Sequence, residues 1–200
     1  MHPNATFRWD DRAAMRALVS EIGFGALFAA TPDGPRVAHV PIVWDGEDHL
    51  LFHLARGNAL TRHLNGAQAL FTVTGPDAYV SPDWYGLDHN QVPTWNYVAV
   101  ELEGTVAPLD RDGLIAQIDA LAAVHEARLA PKPAWTRAKM DDKAFDAMLR
   151  GITGFALRIQ AWRGTRKINQ NKPDAARLAA ADALTASGRP AIAHWMRNPS

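Results

Sequence analysis

The chain has no cysteine among its 200 residues. That removes disulfides, thiolate nucleophiles and thiolate-ligated zinc or iron–sulfur centres, so any metal would need histidine or carboxylate ligands. It has no excess of either charge, since lysine plus arginine and aspartate plus glutamate number 21 each. The long-range field that concentrates a protein on nucleic acid or an anionic membrane is therefore missing, which argues against direct DNA binding. Apolar runs are short, and none approaches the roughly 20 residues that span a bilayer. The first residues, Met1-His2-Pro3-Asn4-Ala5-Thr6-Phe7, lack a basic segment followed by an apolar one. The expectation is a cytoplasmic protein with no membrane contact. Gly-rich phosphate loops, nucleophile elbows and zinc-spaced ligand motifs are absent too, so no catalytic residue and no protein-held metal site are assigned.

What is present is an ordinary globular composition, with 48% hydrophobic and 21% charged residues. This suits one domain over 1–200, with a helical extension from about residue 173. Short runs at Phe24 to Ala30, Arg36 to Trp44 and His49 to Leu54 are separated by Pro32-Asp33-Gly34-Pro35 and Asp45-Gly46-Glu47-Asp48, the composition of tight turns. Further strands are expected at Ala69 to Thr74, Tyr97 to Val106 and around Phe155 to Gln160. In the Tyr97 run, Val98, Val100, Leu102 and Val106 alternate with Glu101, Glu103 and Thr105. Helical spacing is read at Asp10 to Ile22, over 58–65, and at Asp110 to Leu129, Asp141 to Arg150, Asp174 to Ala186 and Pro190 to Arg197. Many short strands with few strand–helix–strand alternations predict a mainly β protein, an antiparallel barrel with peripheral helices.

Local charge says more than net charge. From Arg158 to Arg177 the chain carries Arg158, Arg163, Arg166, Lys167, Lys172 and Arg177 against the single acid Asp174. Such a run suits an anion, and a phosphate monoester matches the paired donors of arginine and the point charge of lysine. Within it Asn169, Gln170 and Asn171 form a poor helix or strand but a good set of donors and acceptors for the edge of a heterocycle. Upstream, Pro93-Thr94-Trp95-Asn96-Tyr97 combines a hydroxyl, an indole, an amide and a phenol just before a β-like stretch. Trp84, Tyr85, Trp95 and Tyr97 add aromatic density, for which packing is the commoner use. His53 falls on the strand face opposite Leu50, Phe52 and Leu54, with Arg56 and Asn58 close behind, whereas His125 sits beside apolar residues and reads as structural.

With Ala78-Tyr79-Val80-Ser81-Pro82-Asp83-Trp84-Tyr85 and His53-Leu54-Ala55-Arg56-Gly57-Asn58, these segments make the chain resemble the PaiB-like family of FMN-binding negative transcriptional regulators. The resemblance runs from Phe7 to about Leu184. It departs at Gly57-Asn58-Ala59, where relatives carry Ala-Asn-Pro, and at Arg166, often an aromatic. It implies an FMN-binding split barrel, homodimeric, with the flavin at the subunit interface. The residues it assigns to the cofactor are His39, Pro41, His53, Arg56, Asn58, Thr94, Trp95, Asn96, Lys167, Gln170 and Asn171. The expected function is flavin-dependent redox chemistry or sensing. One alternative is transcriptional regulation of the PaiB type. The other is a haem-binding enzyme with His53 as axial ligand, since some relatives bind haem and neutral imidazole is a competent iron ligand.

Overall fold

The computed structural model describes residues 2–199. Its strands are β1 (Arg8–Trp9), β2 (Phe24–Thr31), β3 (Gly34–Pro41), β4 (Val43–Asp45), β5 (His49–Ala55), β6 (Gln68–Val80), β7 (Thr94–Pro108) and β8 (Ile152–Lys167). Its helices are α1 (Arg12–Ile22), α2 (Arg111–Ala127), α3 (Asp142–Leu149), α4 (Asp174–Ala186) and α5 (Pro190–Arg197). Hydrogen bonding orders the strands β3-β2-β6-β7-β8-β5-β4, with β1 on β8. The pairings with a defined register are antiparallel, as the turn-punctuated sequence predicts.

The helix ends follow their side chains. The carboxylate of Asp11 accepts from Ala14 N at 2.9 Å to open α1. Gly23, at φ 63°, closes it, a conformation that only glycine adopts without strain. Asp110 caps α2 through Gly113 N, and Asp141 caps α3 through Lys143 N and Ala144 N. Three expectations shift. The strand expected over Arg36 to Trp44 breaks at Ile42, whose N–H donates to Gly23 O rather than to a ladder. The helix expected over 58–65 shrinks to a 3₁₀ turn, Thr61–His63: Asn58 Oδ1 takes Leu60 N, and Gly66 turns away at φ 75°. The strand expected over Ala69 to Thr74 runs on through Gly75-Pro76 to Val80. A Cβ on Gly75 would lie 3.3 Å from Val98 O, so the glycine permits the close approach of β7 there.

The chain divides into two compact units, 1–18 with 73–101 and 163–200, and 19–72 with 102–162. In the first, Phe7, Trp9, Met15, Val80, Val98 and Val100 are buried together with Ile168, Leu184, Ile192 and Met196. Trp9 meets Trp195 edge to face at 5.5 Å. Arg177, 5% exposed, ties α4 to α5 by donating to Met196 O and to Asp174. In the second, Leu50, Phe52 and Leu54 of β5 face inward with Phe155 and Leu157 of β8, and Phe52 stacks on Phe155 at 5.6 Å. A smaller cluster of Leu114, Phe145 and Leu149 joins α2 to α3.

Candidate functional site

The cofactor residues expected from the sequence fall in both units. In the first, β8 ends at Lys167 and β7 begins at Thr94, and the two ends meet: Lys167 Nζ donates to Thr94 Oγ1. The ammonium also lies 5.8 Å from the centre of the Phe7 ring. Burial pushes its pKa below the ordinary lysine range, because the charged form loses hydration that neither neighbour replaces in full. Among the described residues it has no carboxylate partner. A desolvated cation beside a hydroxyl has the chemistry to pair with an anion.

The amides beyond it serve different ends. Gln170 folds back on the chain, its Oε1 accepting from Ile168 N at 2.9 Å and its Nε2 donating to Thr6 O and Arg166 O. Asn169 takes a left-handed conformation at φ 64° and donates to the Tyr85 hydroxyl at 3.3 Å. That phenol's pKa is raised by burial, an effect partly offset by this hydrogen bond, and Lys172 Nζ sits 5.0 Å from its ring centre. Asn171 alone of the three is exposed. Asn96 is fully buried, its Nδ2 on Met196 Sδ at 3.4 Å and its Oδ1 without a partner. Trp95, 52% exposed, donates from Nε1 to Asp77 at 2.9 Å and meets Tyr79 edge to face at 6.4 Å. Of the four aromatics singled out in the sequence, Tyr85 is buried, Trp84 and Tyr97 are half-buried, and Trp95 is open.

In the second unit, His53 projects from the outer face of β5 and is half-buried. Its Nδ1 lies 3.0 Å from Gln117 Oε1 of α2, a contact that the Nδ1–H tautomer makes as a hydrogen bond. Gln117 is fully buried and its Nε2 has no partner. Sequence reasoning missed Gln117. The available signal was an amide on the apolar stripe of α2, three residues after Leu114, where a core side chain would be expected. Arg56 follows β5 and lines a cavity with Arg111 and Arg150, while Asn58 is engaged in its turn. His39 and Pro41 lie on β3 opposite Ala26 and Phe24, on a face that leaves Phe24, Phe28 and Val37 exposed. Among the described residues no group of three or more histidines, aspartates and glutamates is placed to hold a metal ion. Among the same residues no helix is long and apolar enough to cross a membrane.

The class of protein follows from the fold. It is shared with the FAD and heme binding protein from Mycobacterium smegmatis, at a TM-score of 0.57 and 22% identity over 90% of this chain and 80% of that one. The flavocytochrome Anf3 from Azotobacter vinelandii matches with a TM-score of 0.60 and 16% identity over 84% and 72% of the two chains. This is the flavin-binding split β-barrel, mostly antiparallel with added helices. Within that class, the sequence profile described as "Putative FMN-binding domain" matches residues 1–161, and the chain belongs to that family. FMN, the ligand in the family's description, is the cofactor expected from the sequence. A curated relative, "Protease synthase and sporulation protein PAI 2" of Bacillus subtilis, is 28% identical over 158 residues, 77% of this chain and 74% of that protein. The profile stops before Lys167, so the role of the amide-rich turn rests on its geometry.

Proposed function

We propose that the protein is a PaiB-like flavoprotein that binds FMN between two copies of itself and uses it in redox chemistry or redox sensing. The carrying observation is the Lys167 ammonium, desolvated, held by Thr94 and, among the described residues, facing no carboxylate. Those two groups fit a phosphate monoester: one supplies charge, the other a hydroxyl. Asn171 and the open Trp95 ring supply donors and a stacking surface on the same unit. FMN, when bound, would supply the electron-transfer chemistry, and the chain's task would be to orient it and exclude water.

The homodimer is supported by the outer face of β2 and β3. Phe24, Phe28 and Val37 are 49%, 40% and 45% exposed there, and Phe28 also pairs with Leu70 of β6. Contiguous exposed apolar surface of this kind calls for a partner, and the presence of His39 and Pro41 on the same face suits an interface that also holds a ligand. Lys167→Ala tests the cofactor reading: FMN affinity falls while riboflavin affinity, lacking the phosphate, holds. Equal losses for both, or no FMN bound by the parent protein at micromolar concentration, would end it.

A haem reading is favoured by one observation. Gln117 Oε1 lies 3.0 Å from His53 Nδ1, and the Nδ1–H tautomer that pairs with it would leave Nε2 for iron. A Soret band that disappears in His53→Ala supports it, and a haem spectrum indifferent to that change dismisses it.

A further inference from the structure

We infer that the unit formed by 19–72 and 102–162 carries a site for an uncharged bicyclic aromatic compound, in the cavity between α2 and the segment that follows it. The cavity measures about 470 Å³ and is lined by Asp119, Ala122, Ala123 and Ala127 of α2 and by residues 134–138. By helical spacing these α2 positions lie on the side away from the buried Leu114 and Gln117. The covering segment is tied down along its length. Glu126 accepts from Trp135 N at 2.8 Å and from Lys132 Nζ. Lys139 Nζ donates to Ala134 O at 2.8 Å, and Arg137 donates from Nε and Nη2 to the Asp119 carboxylate at 3.1 Å each. Arg137 also lies 5.1 Å from the centre of the Phe145 ring, which joins the segment to α3. These ties set the distance of the segment from α2, and alanine side chains are too small to fill the space between them.

The lining chemistry selects the ligand. Its two charged groups, Asp119 and Arg137, are spent on each other, and Glu126, beside the lining, is engaged by Lys132. An ionic ligand therefore meets no unpaired counter-charge, and entering would cost it hydration that nothing returns. The rest of the lining is alanine methyl groups, the Trp135 indole and the Thr136 hydroxyl. Methyl groups and an indole favour a flat apolar body, and the hydroxyl can accept one hydrogen bond from it. A volume of this size suits one small molecule, whereas a protein partner would need about 800 Å² of surface on each side. None of the residues expected to hold FMN lines this cavity, so the site stands or falls apart from the flavin reading.

Calorimetric titration of the full chain at neutral pH with 2-naphthol, 2-naphthoate and 2-naphthylmethylammonium provides the test. One 2-naphthol binds per chain, and each of the two ions binds about tenfold more weakly or worse. Ala123→Leu fills the cavity from an exposed helical position and abolishes that binding. Ala116→Leu, exposed on the same helix but outside the lining, leaves it unchanged. Leucine is a good helix former, so both variants keep the fold, which circular dichroism checks. Asp119→Asn leaves Arg137 without its carboxylate and turns the preference from 2-naphthol to 2-naphthoate. The site is overturned by a parent protein that shows no saturable binding of 2-naphthol or takes either ion as tightly. Equal affinity in Ala123→Leu and Ala116→Leu, or an unchanged preference in Asp119→Asn, overturns it too.

Discussion

Gln117 and His53, 64 residues apart in sequence, form a buried-to-half-buried pair in which the amide oxygen lies 3.0 Å from the imidazole Nδ1. The pair couples α2 to β5, and its energetic weight is measurable. A neutral hydrogen bond of this kind contributes about 0.5–1.5 kcal/mol net. A double-mutant cycle on His53→Ala and Gln117→Leu, read by urea unfolding, is expected to return a coupling energy in that range. Additive effects would mean that the contact carries no energy of its own.

Lys167 predicts a pH dependence. Because burial lowers its pKa, the unfolded chain keeps this proton to higher pH than the folded one does. Between the folded value and the ordinary one of about 10.4 the unfolded state therefore binds more protons, and this group's contribution to stability becomes less unfavourable as pH rises. FMN affinity runs the other way across the same window, since only the ammonium attracts phosphate. The measurement is FMN against riboflavin titrations from neutral to alkaline pH, in which the FMN advantage shrinks below the ordinary lysine range and is flat in Lys167→Met.

The glycines separate geometry from composition. A Cβ at Gly104 would sit 2.0 Å from Arg158 O, a backbone atom that cannot rotate away. Gly104→Ala is expected to cost about 3 kcal/mol or to abolish folding, at the upper end of overpacking effects. Gly57 has nothing within 4 Å and no positive φ, so Gly57→Ala should be neutral or stabilising by up to about 1 kcal/mol. Chemical denaturation of both variants gives the ranking, and a Gly104→Ala protein of parent stability contradicts the tight β7–β8 approach.

Asn169 makes two separable contributions, its left-handed backbone and its bond to Tyr85. Asn169→Gly loses only the bond, about 1 kcal/mol, whereas Asn169→Ala adds the left-handed penalty of roughly another 1 kcal/mol. Thermal or urea unfolding should place alanine below glycine. The reverse order would mean that the turn relaxes to negative φ.

Much of the fold was legible along the chain. Leu50, Phe52 and Leu54, and Val98, Val100 and Leu102, alternate in sequence and are buried in the structure. The acidic caps of α2 and α3 stand where the apolar periodicity changes. Lys167 and Thr94 were both singled out, and they touch. Gln170 was read as a ligand donor from its composition, yet its amide is engaged by the backbone of its own turn. The same amide chemistry serves either purpose, and only the path of the chain distinguishes them.

The sequence by itself determined which residues face inward and where the chain turns, because these depend on the two-residue and 3.6-residue periods and on the local chemistry of glycine, proline and aspartate. Tertiary structure alone decided that Gln117 would meet His53, that three arginines would share one cavity, and that β6 would continue past Pro76. Each of those depends on segments distant along the chain. Their approach is set by strand register and by the loops that packing closes, and no local pattern encodes it.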